Sequence, residues 1–177
     1  MTAQEYKRIE IEKGTSSGEF IVSDSSRYYA SLTEGGEYSF SFHLQKGVTF
    51  SFYGTVLLKT DEVLSLSVSV FHEEGESESH SLVRGVAEKG QIFYKAYTGS
   101  SEKSYNIKSS QDAKFLLAGG KVSGIPALGP SSFSSAASHS FSSIPLSRAS
   151  IEYYLLKGWT EEEAKDFIMN SFLETDI

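Results

Sequence analysis

Cysteine is absent from the 177 residues. The chain alone can therefore build no disulfide, no thiolate nucleophile and no cysteine-ligated zinc or iron–sulfur cluster. Proline is scarce, with three residues, and no apolar run approaches the ~18 residues of a membrane helix. The opening Met1-Thr-Ala-Gln-Glu-Tyr-Lys-Arg has no apolar stretch after its charges, so a cytoplasmic protein without a membrane partner is expected. Positive charge is also short. A net charge of −7 and a pI near 5.1 leave no basic footprint for neutralising nucleic-acid phosphates.

Short alternating runs fill most of the chain, punctuated by Gly and Ser. In Leu64-Ser-Leu-Ser-Val-Ser-Val70 every second residue is apolar, and Phe40, Phe42, Leu44 and then Val48, Phe50, Phe52 repeat the alternation. This is the mark of strands with one face buried. Strands are expected at 6–12, 19–23, 28–32, 38–44, 48–53, 55–59, 63–71, 79–87, 91–97, 105–108 and 113–118, with no helix before 147. The chain divides into a β core over 1–128, a Ser-rich connector over 129–146 that carries His139 and should be the mobile part, and a helical tail over 147–177. Strand spacing near ten residues fits a sandwich, a jelly roll or a β-helix equally well.

The tail is the densest pattern. Ile151, Tyr154 and Leu155 fall on one face of a short helix, which Gly158 stops with Lys157 in its last turn. Thr160-Glu161-Glu162-Glu163 is a capping box that opens a second helix. There Ala164, Phe167, Ile168, Ser171 and Phe172 predict the buried face. The product is an αα-hairpin. By physics alone it could simply cap the open end of a β core.

Enzyme motifs mostly fail. Gly119-Gly-Lys-Val-Ser123 lacks the first glycine and the hydroxyl after the lysine that a phosphate loop needs, and no Gly-x-Ser-x-Gly elbow occurs. His43, His72 and His80, with Glu73, Glu74 or Glu78, could form a metal site in a barrel, though at no standard spacing. A cupin-like metal enzyme or small-molecule binder is the competing class.

Ala137-Ser138-His139-Ser140, followed by Ile151-Glu-Tyr-Tyr-Leu-Leu-Lys-Gly-Trp-Thr-Glu-Glu-Glu-Ala164 and Phe172-Leu173, resembles the C-terminal end of the SufB/SufD family, scaffold proteins of iron–sulfur cluster assembly, closer to SufD. Ser79 to Ala96 and Ile125-Pro126-Ala127-Leu128 are similar to further segments of that family, so the resemblance spans roughly 72–173. It implies a right-handed parallel β-helix, truncated relative to the family's usual length, with a C-terminal α-hairpin. It implies no catalysis. His139 would lie at the contact with a SufB-like subunit, where a neutral imidazole suits iron. No cofactor would be held stably by this chain alone, a transient iron–sulfur cluster at a subunit interface being the exception. Tyr153, Tyr154, Leu156, Trp159, Glu161 and Glu162 would dock a SufC-like ABC ATPase. A SufB/SufD-like subunit or a second copy would complete a dimer.

Overall fold

In the computed structural model, residues 6–10, 14–129 and 136–174 are described. Eleven strands occur among them. They are β1 (Tyr6–Arg8), β2 (Thr15–Val22), β3 (Ser26–Leu32), β4 (Gly36–Leu44), β5 (Thr49–Leu58), β6 (Val63–His72), β7 (Glu78–Ala87), β8 (Gln91–Ser100), β9 (Lys108–Leu117), β10 (Lys121–Gly129) and β11 (Ala136–Pro145). Two helices follow, α1 (Arg148–Leu155) and α2 (Glu161–Glu174). Odd strands stack as one six-stranded sheet and even strands as a five-stranded sheet, each in sequence order and all parallel. The chain thus winds between two walls and advances one strand per coil. This is a parallel β-helix, as the family resemblance implies.

Alternation decides which side chains enter. In β4 and β6, Tyr38, Phe40, Phe42, Leu44 and Leu64, Leu66, Val68, Val70 are buried, while the serines between them face outward. Because the coils stack in register, inward residues line up in columns across them. Phe20, Phe42 and Val70 form one, and Tyr28 and Phe52 begin another. Rings of Phe20, Tyr28, Phe42, Phe50 and Phe52 meet at centroid distances of 4.6 to 5.9 Å, which fills the first coils with aromatic carbon. Gly85 lies one coil below Phe115, and a methyl group there would come within 2.3 Å of its ring. At Gly90 a turn between β7 and β8 takes φ = 65°, the left-handed region that favours glycine.

The structure departs from the expected elements in four places. The separate strands at 48–53 and 55–59 are one strand, β5, since Gly54 continues the backbone ladder. Those at 105–108 and 113–118 give way to β9, which starts only at Lys108. The strand β10 was not anticipated. Most consequentially, 136–145 is no connector but strand β11, paired residue by residue with β9. Its serine content suggests a loop, yet Ala137, His139 and Phe141 alternate inward, and β9 supplies the backbone partners. Residues 130–135 of the expected connector lie outside those described.

The hairpin covers a flank rather than an end. On the outer face of the odd-strand sheet, Val86 of β7 and Leu116 of β9 form an apolar patch with Leu57 of β5 beside them. Met169 fills it, with Ile168, Phe172 and Leu173 around it. The Tyr53 hydroxyl donates to the Leu173 carbonyl at 2.5 Å, and Lys59 pairs with Asp166 at 2.8 Å. Against expectation, Phe167 and Ser171 are exposed and Met169 is buried. The sheet meets α2 along a stripe rotated toward Met169 and Leu173. Arg84 is buried near this flank, bonded to Asp112 at 3.3 Å.

Phe42→Ala should destabilise the fold by about 3 to 5 kcal/mol, because four neighbouring rings cannot collapse into the space. Ser41→Ala, one residue along and facing outward, should stay within about 0.5 kcal/mol in the same urea titration.

Candidate functional site at the last coil

The interior changes character along the stack. The column that begins with Tyr28 and Phe52 continues as Ser81, Gln111 and His139, and the one containing Phe50 continues as Ser79 and Ser109. His72, at the end of β6, is fully buried beside them. Its Nδ1 lies 2.7 Å from the Ser77 hydroxyl and its Nε2 3.1 Å from Ser79. Ser79 donates to Ser109 at 2.8 Å, Ser109 is 3.2 Å from Thr98, and Thr98 is 3.2 Å from His139 Nε2. A ladder of hydroxyls therefore joins the buried imidazole to the one in the last coil. Ser104 and Ser101 close the adjoining loop by donating to the His72 and Glu73 carbonyls.

His139 is half-buried and points into the coil formed by β10 and β11. Burial lowers its pKa, so the imidazole is neutral near pH 7. Its Nδ1 is enclosed yet has no partner among the described residues, and the same holds for Gln111 Oε1 one coil below and Ser81 Oγ two coils below. Gln111 donates from its other end to the Tyr97 carbonyl at 3.1 Å. Just outside, Ser140 bonds to Asp112, which also takes Arg84. Burial alone would raise the Asp112 pKa, but the Ser140 hydrogen bond and the Arg84 charge outweigh it and bring it below the usual value.

The other histidines do not converge. His43 sits on the outer face of the even-strand sheet, bridging Glu73 at 2.7 Å and Glu19 at 3.0 Å. His80 is exposed on the outer face of the odd-strand sheet, 2.6 Å from Ser110. With His72 inside the coils, the three face different compartments of the fold. Among the described residues, no group of three or more His, Asp or Glu side chains is placed to hold a metal. The ladder itself escaped the sequence reading. Its signal was present in the spacing of Ser79 and Ser109 to their coil partners, but a serine in an alternating strand gives no sign of which wall it faces without the register.

The hairpin presents a second candidate surface. Ser147 caps α1 by accepting from the Ser150 amide, and Gly158 takes φ = 90° after the helix ends. Thr160 and Glu163 form the reciprocal capping box, with bonds of 2.8 and 3.2 Å. Ile151 is buried, leaving Tyr153 54% exposed, Leu156 89% and Trp159 38%. Tyr154, half-buried, sits 5.2 Å from the ring of Trp159 and 5.3 Å from that of Phe167. Ala149, Tyr153, Tyr154, Phe167 and Phe172 line a shallow groove between the helices. Lys157 donates to the Tyr153 hydroxyl at 2.6 Å. Glu161 is engaged within the hairpin by Lys165 at 2.8 Å and Arg148 at 3.3 Å, whereas Glu162 faces outward.

The buried His72 carries a pH signature. Desolvation drops its pKa from 6.5 to about 4, so between those values the unfolded chain binds the proton that the folded chain refuses. Stability should be fully present above pH 6.5 and decline as pH falls toward 4, by up to about 3 kcal/mol. In His72→Gln this segment of the stability–pH curve, measured by urea unfolding, should flatten.

No protein-family model matches this chain, and no curated protein matches it.

Proposed function

We propose that the chain is a non-catalytic scaffold subunit of a SUF-type iron–sulfur cluster assembly complex, with a SufC-like ABC ATPase as partner. The observation that carries this reading is the exposed aromatic and apolar surface of the C-terminal hairpin on a parallel β-helix. Ile151, Ala164 and Met169 are buried, whereas Tyr153, Leu156 and Trp159 remain outside. Aromatic side chains of this kind anchor interfaces. Glu162, and Glu161 at the rim of its ion pairs, would add charge for a basic partner.

The last coil supports the second half of the proposal. Strands β10 and β11 stand at the ends of their sheets with one edge unpaired among the described strands, and Ile125, Leu128 and Ile144 are exposed along them. A related subunit or a second copy would satisfy these edges. His139 would then lie beside the interface. An iron–sulfur cluster would be cargo at that junction, with thiolates drawn from the partner, since this chain has none. The Nδ1 of His139 is enclosed and has no partner among the described residues, which leaves its lone pair or hydrogen uncommitted. A barrel-type metal enzyme loses its support, because the three histidines it would need are separated by the walls of the helix.

Binding to the SufC-like subunit of the same genome should be retained by the full chain. Trp159→Ala and Leu156→Ala should each weaken it by more than about 1 kcal/mol, while thermal midpoints move only a few degrees. Calorimetric titration showing no binding by the intact chain would remove the proposal. Light scattering at micromolar concentration should give the mass of a dimer, and Ile144→Lys, which puts a charge at the free edge, should shift it to monomer.

A further inference from the structure

The backbone bonds between coils fix which residues of the last coil face its open end. In a parallel ladder a residue sends its N–H and its C=O to the same neighbouring strand, and the next residue sends both to the other. Ala136 and Leu146 donate back to the Ile107 and Leu117 carbonyls, so the even-numbered residues of β11 are bound to β9. Ala137, His139, Phe141 and Ser143 therefore direct both groups toward the open end, where no strand lies beside them among the described residues. In β10, Lys121 donates back to Gly90, which leaves Val122, Gly124, Pro126 and Leu128 facing the open end. Pro126 and Pro145 both occupy open-facing positions, where the missing N–H breaks no bond to the preceding coil. Their effects on the two strands differ. Pro126 puts its ring in the middle of the β10 row and obstructs a strand there, whereas Pro145 only ends the β11 row.

We infer that β11, and not β10, is the docking edge of the last coil, and that a second copy of this chain occupies it as an antiparallel strand with the two-fold axis at Ser140. This rests on the reading that a second copy completes the last coil. The open-facing residues 137, 139, 141 and 143 are arranged symmetrically about residue 140. Turned about an axis there, the row meets itself. His139 then faces Phe141 of the second copy and Ala137 faces its Ser143, and each such pair exchanges two backbone bonds. Between them Ser138 faces Ser142 of the second copy, and Ser140 faces its own image. In this register Pro145 falls past the end of the facing strand. A shift of two residues one way sets the Pro145 ring against the backbone of the facing Ala137, and the opposite shift carries Ser143 beyond the start of the facing β11. The stretch is also suited to meet a copy of itself. From Ala136 to Ser147 it holds no Asp, Glu, Lys or Arg, so no charge is doubled across the axis, and it lacks the charges that ordinarily protect a free edge.

The chain has no cysteine, so single introduced cysteines report the register. Ser140→Cys, on the axis, meets its own image at a Cα separation of about 4.5 Å, the spacing of a non-hydrogen-bonded antiparallel pair, and mild oxidation should convert the intact chain to a covalent dimer. Ser138→Cys and Ser142→Cys should each stay uncross-linked alone and cross-link when the two are mixed. Ala137→Pro combined with Ser143→Pro removes two open-facing donors from each copy without touching a bond to β9. Light scattering at micromolar concentration should then show the mass fall to half while the thermal midpoint is kept. Leu128→Pro, which blunts β10 further, should leave the dimer intact. Cross-linking of Ser138→Cys alone, or a dimer that survives the paired prolines, would place the contact elsewhere and overturn the inference. A wild-type monomer would overturn it together with the homodimer reading, whereas binding of the ATPase subunit through the hairpin is decided separately.

Discussion

The structure depends on in-register stacking of parallel strands. Each backbone N–H and C=O of one coil is taken up by the next, so a residue is fixed in height by its coil and in direction by its parity. Once that ladder is set, chemistry is organised by column. A column can hold aromatic rings for two coils and polar side chains for the next three, as the passage from Tyr28 and Phe52 to Ser81, Gln111 and His139 demonstrates. The aromatic end packs ring against ring, and the polar end encloses hydroxyls of which Ser79, Ser109 and Thr98 bond one another.

The same constraint explains why the hairpin matters. A β-helix wall has two faces, and the outer one is normally wet. Here Leu57, Val86 and Leu116 make part of it apolar, so the odd-strand sheet needs a cover, and Met169 with its neighbours on α2 provides one. Arg84 and Asp112 lie beside this covered zone and satisfy each other's charge where water is scarce. The outward side of the hairpin is left with aromatic rings that pack on one another. Tyr154, Trp159 and Phe167 hold one another in place while Trp159 and Phe167 stay partly exposed.

The last coil couples these features. Its inner side chains have a neighbour on one side only, so His139 and Phe141 are half-buried where their column partners Gln111 and Ala113 are enclosed. The imidazole there is partly desolvated, with its Nε2 on Thr98 and its Nδ1 enclosed. The Ser140–Asp112–Arg84 chain ties the outside of β11 to the neighbouring strands, holding the strand that presents it.

Alternation in Phe40 to Leu44 and Leu64 to Val70, the capping box at Thr160 and the stop at Gly158 were legible from the chain alone. They depend on periodicities of two and about 3.6 residues and on bonds between near neighbours, which any local stretch records. The choice of a β-helix over a sandwich was not, because both bury alternate residues, and only the resemblance to a scaffold family pointed to it. What tertiary structure decided is which residues share a column. Val63 lies beside Gln91 and Gln91 beside Lys121, offsets of 28 and 30 residues that carry no sequence periodicity, since turn lengths vary. His72 and His139 were visible as two isolated histidines. Their connection through Ser79, Ser109 and Thr98 exists only because backbone hydrogen bonding sets the coils in register, and a strand reads its neighbours across space rather than along the chain.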